Sequence, residues 1–318
     1  MDTDALRTFL AVHRHEGFSD AARILGRTQP AISSRIRLLE QDLGVRLFER
    51  TASGIVLSQA GRVLLRYAER AVAAVEDAES AVRSLKTEVS GPLTLAIVGT
   101  LANQKLTGVL KQFAARNASV EFEIQTARSS QISELVRRGE AVAGIRYDRD
   151  PSKDLHCEEL GKDELVVVCA PDHRYAGRSI ASLSILKQER WVAFPESPGQ
   201  QGISASHIAS VFLLQGLGEI KWSPIDSLTA QKRLVEAGFG LALTTRSNVS
   251  EEIAGKTLRI IKVGPLGPGQ PIHLVTRKGG FLSGAAASLI DLLRRQYMRK
   301  PQASRDVTSR EVKRLPSR

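Results

Sequence analysis

Gln29, Pro30, Ser33, Ser34 and Arg37 are the side chains best placed to read another molecule's edge, because one helix would present them together. Downstream of Gln29, the apolar residues Ile32, Ile36, Leu39 and Leu43 recur at steps of four, three and four, the spacing of a single buried helical stripe. Projection at about 100° per residue puts Pro30, Ser33, Ser34 and Arg37 on the opposite face, with Gln29 at the helix entrance. That face is short, polar and basic, and an α-helix of this kind fits the DNA major groove with its N-terminal side chains at the base edges.

The elements that must position this face follow from its flanks. Ser19 is a good N-cap for a preceding helix to Leu25, Gly26 ends that helix, and Pro30 opens the next in a first turn where its missing N–H is harmless. The result is a helix-turn-helix, although a plain helical hairpin inside a larger core fits the same segment. Leu47–Arg50 and Gly54–Leu57 read as two short strands around a turn, a wing that would set Arg50 and Thr51 against phosphates.

No other constellation suggests catalysis. The six histidines are scattered without metal-ligand spacing, Cys157 and Cys169 read as buried reduced thiols on strands, and Gly238–Gly240 lacks the lysine of a phosphate loop. No enzyme, metal or cofactor is expected. At 318 residues and 42% hydrophobic content the chain is long enough for two or three domains. It has no apolar run fit for a membrane span or signal peptide, so the cytoplasm is its expected place. The net charge of +11 suits nucleic acid, but residues 1–90 hold 13 basic against 12 acidic side chains. The useful signal is local: Phe18 to Arg66 carries eight arginines against four acids.

From Ser58 to about Glu88 runs a long helical pattern in which Leu64, Ala68, Ala71, Val75, Ala78, Val82 and Leu85 form a heptad seam. Such a helix cannot bury its seam alone; it pairs with a second copy or joins a bundle. Val89–Pro92 marks a hinge. Beyond it strands and helices alternate, implying a mostly parallel sheet with crossover helices and two α/β lobes around a cleft. Cleft candidates lie at strand ends and helix starts: Thr100, Arg128, Ser129, Ser130 and Arg146 from one lobe, Phe194, Ser197 and Thr245 from the other. The arginines and the free N–H groups at Ser129 favour an anion, unless these serines merely cap and these arginines are merely solvated.

The stretch LRTFLAVHRHEGFSDAARILGRTQPAISSRIRLLEQDLGVRLFER followed by LSQAG resembles the winged helix-turn-helix of LysR-type transcriptional regulators, and SLTAQKRLVEAGFGLAL, from Ser227, resembles their effector domain. The resemblance covers Met1 to about Met298. It implies base reading by Gln29, Pro30 and Ser33, with Ser34 where some members carry arginine. It also implies a linker helix that dimerises the heads, a tetramer through paired effector domains, and an effector domain like a periplasmic solute-binding protein. Val142 and Thr245 depart from the aspartate and proline common in the family.

The expected organisation is multidomain: an all-α winged helix-turn-helix head (1–60), a linker helix and hinge (61–90), and a two-lobe α/β effector domain (91–298). Lobe I would take about 91–163 and 268–298, and lobe II about 164–267; 299–318 reads as a disordered basic tail. The expected function is sequence-specific regulation of transcription at promoter DNA, controlled by a small effector between the lobes. The rival expectation is a two-lobe solute-binding protein or enzyme with no DNA role.

Overall fold

A computed structural model describes residues 1–51, 54–84, 93–194, 210–217 and 221–298. Leu85, the hinge at 89–92, Ser197 and the tail from 299 therefore lie outside the described residues.

Three helices open the chain: α1 (Thr3–Arg14), α2 (Phe18–Ile24) and α3 (Gln29–Leu43). Asp2 caps α1 by accepting from the Ala5 N–H at 2.7 Å. Gly17, not Ser19, is the N-cap of α2, because Phe18 is drawn into the helix to pack its ring on Phe48, 5.9 Å centroid to centroid. Gly26 takes a left-handed φ of 61° as the chain leaves α2, a conformation that favours glycine. Phe9, Ala21, Ile32, Ile36, Leu39 and Leu47 fill the head core.

Leu43 departs from its expected burial and is exposed, and Glu40 is buried in that part of the helix instead. The Glu40 carboxylate accepts from the Leu47 N–H at 2.7 Å and pairs with Arg46 at 3.1 Å, so it ties α3 to the wing. The wing is an antiparallel pair, β1 (Phe48–Thr51) and β2 (Gly54–Leu57). Ser58 then caps helix α4 (Gln59–Ser84), its Oγ accepting from the Gly61 N–H at 3.0 Å. A Cβ at Gly61 would stand 2.2 Å from the Leu47 carbonyl oxygen, so only glycine lets α4 cross the wing here.

The remainder forms two sheets. Lobe I uses β3 (Leu93–Ile97), β4 (Phe122–Thr126), β5 (Ala143–Tyr147), β6 (Leu155–Asp163) and β13 (Gln270–Arg277), in the order β4-β3-β5-β13-β6. On its faces lie α5 (Gln104–Arg116), α6 (Ser129–Arg137) and α9 (Gly284–Met298). Lobe II uses β7 (Leu165–Cys169), β8 (Ser179–Ile180), β11 (Ala242–Thr245) and β12 (Arg259–Val263), ordered β11-β7-β12-β8. Beside it lie the parallel pair β9 (Arg190–Ala193) and β10 (Lys221–Pro224), with helices α7 (Leu228–Glu236) and α8 (Ser250–Ala254).

Both sheets are mixed, which corrects the expectation of mostly parallel ones. In lobe I only β4-β3-β5 is parallel, because β13 re-enters from the other lobe and pairs antiparallel with both β5 and β6. No helix among the described residues is long and apolar enough to cross a membrane.

Candidate functional site

The head presents α3 by its N-terminus. Gln29, Pro30 and Arg37 are exposed, while Ser33 and Ser34 are half-buried. The Gln29 Nε2 donates to Ser33 Oγ at 2.8 Å, which holds the amide in one orientation and leaves its oxygen and second N–H outward.

Charge is more selective than the local count of arginines suggested. Arg23, Arg27, Arg35 and Arg46 are ion-paired to Asp20, Asp4, Asp4 and Glu40. Arg37 on α3 and Arg50 on β1 are exposed and have no carboxylate partner among the described residues. Thr51 is exposed beside Arg50, and its hydroxyl donates to the Gly54 carbonyl at 3.0 Å. The head thus carries an exposed amide at the start of α3 and, among the described residues, two exposed, unpaired cations, the kinds of group that a base edge and a phosphate backbone require.

The linker seam needs a correction. Ala68 is fully buried in the head core, and Leu64 is packed against it. Both face their own α1 and cannot face a partner. Ala71, Ala78 and Val82 are exposed and Val75 is half-buried. With Val63, Tyr67 and Ala74 the exposed members form a separate apolar stripe, spanning about 100° of the helix surface. A single heptad reading merged two stripes on one helix.

In the effector domain the lobes meet along a polar line. Thr100, in the turn after β3, donates to the Tyr147 hydroxyl at 3.0 Å. Thr245 and Asn248 of lobe II also hydrogen-bond that phenol, but burial dominates and pushes it up to about 12. Asn103 donates to Ser247 Oγ at 3.1 Å and Gln104 to Glu251 at 3.2 Å, both across the cleft. Ser247 in turn donates to Asp163, where the chain passes from β6 toward lobe II.

Tyr147, Asn103, Ser247 and Asn248 were missed by sequence reasoning. The signal for Tyr147 was its place at the end of β5, one residue beyond Arg146 and so on the opposite face of the strand.

Ser129 is buried and Ser130 exposed in the first turn of α6, with Arg128 exposed just before them. The Arg128 N–H donates to Gln131 Oε1 at 3.1 Å, so this helix start is partly capped by its own side chain. Phe194 is half-buried at the end of β9, and Thr245 is buried at the end of β11.

Arg146 does not extend this group, which corrects its assignment to the cleft. Its side chain is 4% exposed, and its guanidinium pairs with Asp150 at 2.7 Å and donates to Ser133 and to the Tyr147 carbonyl. Burial pushes the Asp150 carboxyl up, but hydrogen bonds from Ser133 and Ser152 together with Arg146 prevail and hold it at about 2. Cys157 is half-buried and Cys169 buried, and both thiols are pushed up by burial, Cys169 to about 11. Among the described residues no three His, Cys, Asp or Glu side chains could hold a metal ion.

A family model described as bacterial regulatory helix-turn-helix protein, lysR family, matches residues 3–62, and one described as LysR substrate binding domain matches residues 86–298. The HTH-type transcriptional regulator CbbR of Rhodospirillum rubrum is 31% identical over 291 residues, 91% of this chain and 94% of that one. Full-length OxyR from Pseudomonas aeruginosa, solved as a point variant, superposes with a TM-score of 0.70 at 18% identity, over 93% of this chain and 94% of that chain. Full-length CbnR, solved with its target DNA, superposes with a TM-score of 0.55 at 21% identity, over 93% and 100%.

Proposed function

This chain belongs to the LysR family of transcriptional regulators, and on that premise we propose how its own residues bind DNA and effector. It is a regulator and not an enzyme, with a DNA-binding head and an effector-binding domain. In the proposal, α3 enters the major groove of promoter DNA in the cytoplasm. Gln29 pairs with an adenine edge, Pro30 packs on a thymine methyl, and Ser33 orients the glutamine. Arg37 and Arg50, with Thr51, hold phosphates, and Ser34 lines the groove-facing side.

The observation that carries this reading is the Gln29–Ser33 hydrogen bond at the exposed N-terminus of α3, on a head where Arg37 and Arg50 are exposed and have no carboxylate partner among the described residues. Footprinting on promoter fragments tests it. A protected site with dyad symmetry is the expected result, and uniform or absent protection would overturn sequence-specific reading. Gln29→Ala is expected to relax preference at one base position by about 1–3 kcal/mol. Arg50→Ala is expected to weaken all sequences alike and to reduce the slope of affinity against salt by about one phosphate contact. Competition binding across duplexes at several salt concentrations separates the two; a preference change at Arg50 with an intact slope would make the wing a base reader.

The effector in this proposal is a small anion such as a carboxylate, held between Thr100, Arg128, Ser129 and Ser130 of lobe I and Phe194, Ser197 and Thr245 of lobe II. The support is the α6 N-terminus with its dipole, together with the hydroxyls at the ends of β3 and β11. Binding would bias lobe closure by acting differently on the open and closed states. Calorimetry of the full chain against acidic, neutral and basic metabolites is expected to give saturable binding with an acid and at least a tenfold loss in Thr100→Val. Binding of cations alone would end this reading. Assembly as a dimer through α4, and as a tetramer through effector domains, completes the proposal.

A further inference from the structure

The head and linker helix do not stand free of lobe I. Glu69 of α4, 3% exposed, pairs with Arg138 at 2.5 Å, just after α6. Asp77 of α4 pairs with Arg277 at 2.5 Å, at the end of β13, and its other oxygen accepts from the Phe281 N–H at 3.2 Å. Arg14, the last residue of α1, pairs with Glu140 at 2.5 Å. Between these pairs Ala73 is 1% exposed, and a Cβ on Gly139 would lie 3.6 Å from the Ala73 Cβ. The contact is therefore a ring of charges around a spot of close backbone approach.

Two properties separate it from ordinary domain packing. Its close approach is Ala73 against Gly139, and three ion pairs that salt can weaken surround it. Its rim also holds an unsatisfied atom: Arg277 Nε is buried without a hydrogen-bond partner among the described residues. A buried polar atom left in that state favours opening to water.

The anchors also have an origin in the cleft. Helix α6, about 13 Å long, begins at Ser129 and ends beside Arg138. Strand β13 begins at Gln270, paired with Asp163 at the lobe junction, and ends at Arg277. Arg138 and Glu140 thus follow the far end of α6, and Arg277 is the far end of β13, whose near end meets the lobe junction.

We propose that Glu69–Arg138, Asp77–Arg277 and Arg14–Glu140 form a latch by which α4 and the head dock on lobe I of their own chain, and that its opening lets the head reorient. This goes beyond the DNA and effector readings above and does not depend on either. The latched state fixes the direction of α3 relative to lobe I, and α6 and β13 connect that state to the cleft.

The test uses the full chain with Ala73→Cys and Gly139→Cys, whose Cβ separation suits a disulfide. Mild oxidation is expected to give an intrachain 73–139 link in most molecules, identified by peptide mass. Its rate should fall at least threefold between 0.1 and 1 M NaCl, where screening shortens from about 10 Å to about 3 Å. No link, a rate indifferent to salt, or a link that joins two chains would each overturn the proposal, the last by moving the docking to a second copy. Because a cysteine at 139 must accept a φ of 78°, charge reversal supplies an independent arm. Asp77→Arg and Arg277→Asp should each lengthen the distance between spin labels at Ser19 and Lys153 by several ångström, and the double reversal should restore it. Unchanged distances in the single variants would refute the latch.

Discussion

Arg146→Ala is expected to lower the unfolding free energy of the effector domain by about 3–5 kcal/mol, because it leaves the Asp150 carboxylate buried without its cation. The guanidinium is buried and engaged by Asp150, Ser133 and the Tyr147 carbonyl, so the loss appears in folding and not in effector binding. Urea unfolding of the full chain, followed by circular dichroism, measures it. Replacing both members, as Arg146→Met with Asp150→Asn, is expected to recover more than half of the loss, since no unpaired charge then remains. A single Arg146→Ala variant that unfolds normally but no longer binds an acid would return this arginine to the cleft.

The same pair sets an acid limit on stability. The folded Asp150 pKa, about 2, lies below the ordinary value of 3.8, so the carboxylate form stabilises the fold. That contribution, about 2 kcal/mol, is fully present above about pH 4 and is lost as pH falls through about 2. In Asp150→Asn the stability-against-pH curve should lose that portion of its slope. An unaltered slope would show that the fold leaves this carboxyl at its ordinary value.

The head was the most legible part of the chain because local rules fix it. Pro30 opens α3, Ile32, Ile36 and Leu39 face inward, and the wing strands lie within a residue of their expected ends. Where reading failed, a tertiary demand outweighed the local pattern. Leu43 continues the apolar stripe by spacing, yet the wing's free N–H groups need an acceptor, and Glu40 occupies the interior to supply it. Gly61 appeared as a minor flaw in a long helix, whereas the Leu47 carbonyl requires a residue without a side chain there.

The effector domain was legible in its elements more than in its site. Helix α7 matches its expected span from Leu228 to Glu236, yet β6, β12 and the antiparallel entry of β13 depend on pairing between distant segments. The site suffered for a related reason. Arg146 and Tyr147 are adjacent in sequence but face opposite sides of β5, toward α6 and toward the lobe line respectively. A candidate list drawn from strand ends cannot choose between two such neighbours until the sheet has a defined inside and outside. Composition favoured the arginine, and parity assigned the interlobe line to the tyrosine.

The linker helix leads to the second large effect, expected from Tyr67→Glu combined with Ala78→Glu. Both side chains lie on the exposed stripe, and Tyr67 is 63% exposed, so the monomer fold tolerates the change. If that stripe is where two copies pair, two glutamates per helix would be buried opposite their equivalents in the partner, an arrangement that costs several kcal/mol. The sedimentation profile should shift toward smaller species. Affinity for a duplex with two half-sites should fall by about 10²–10⁴, the advantage that tethering two heads confers. Affinity for a single half-site should stay within about threefold. Ala68→Glu provides the contrast: Ala68 is fully buried against α1, so the charge should unfold the head and abolish binding to either duplex. Retained assembly in the Tyr67→Glu, Ala78→Glu protein, with full affinity for the paired site, would remove this face of α4 from the interface and leave pairing to the effector domains.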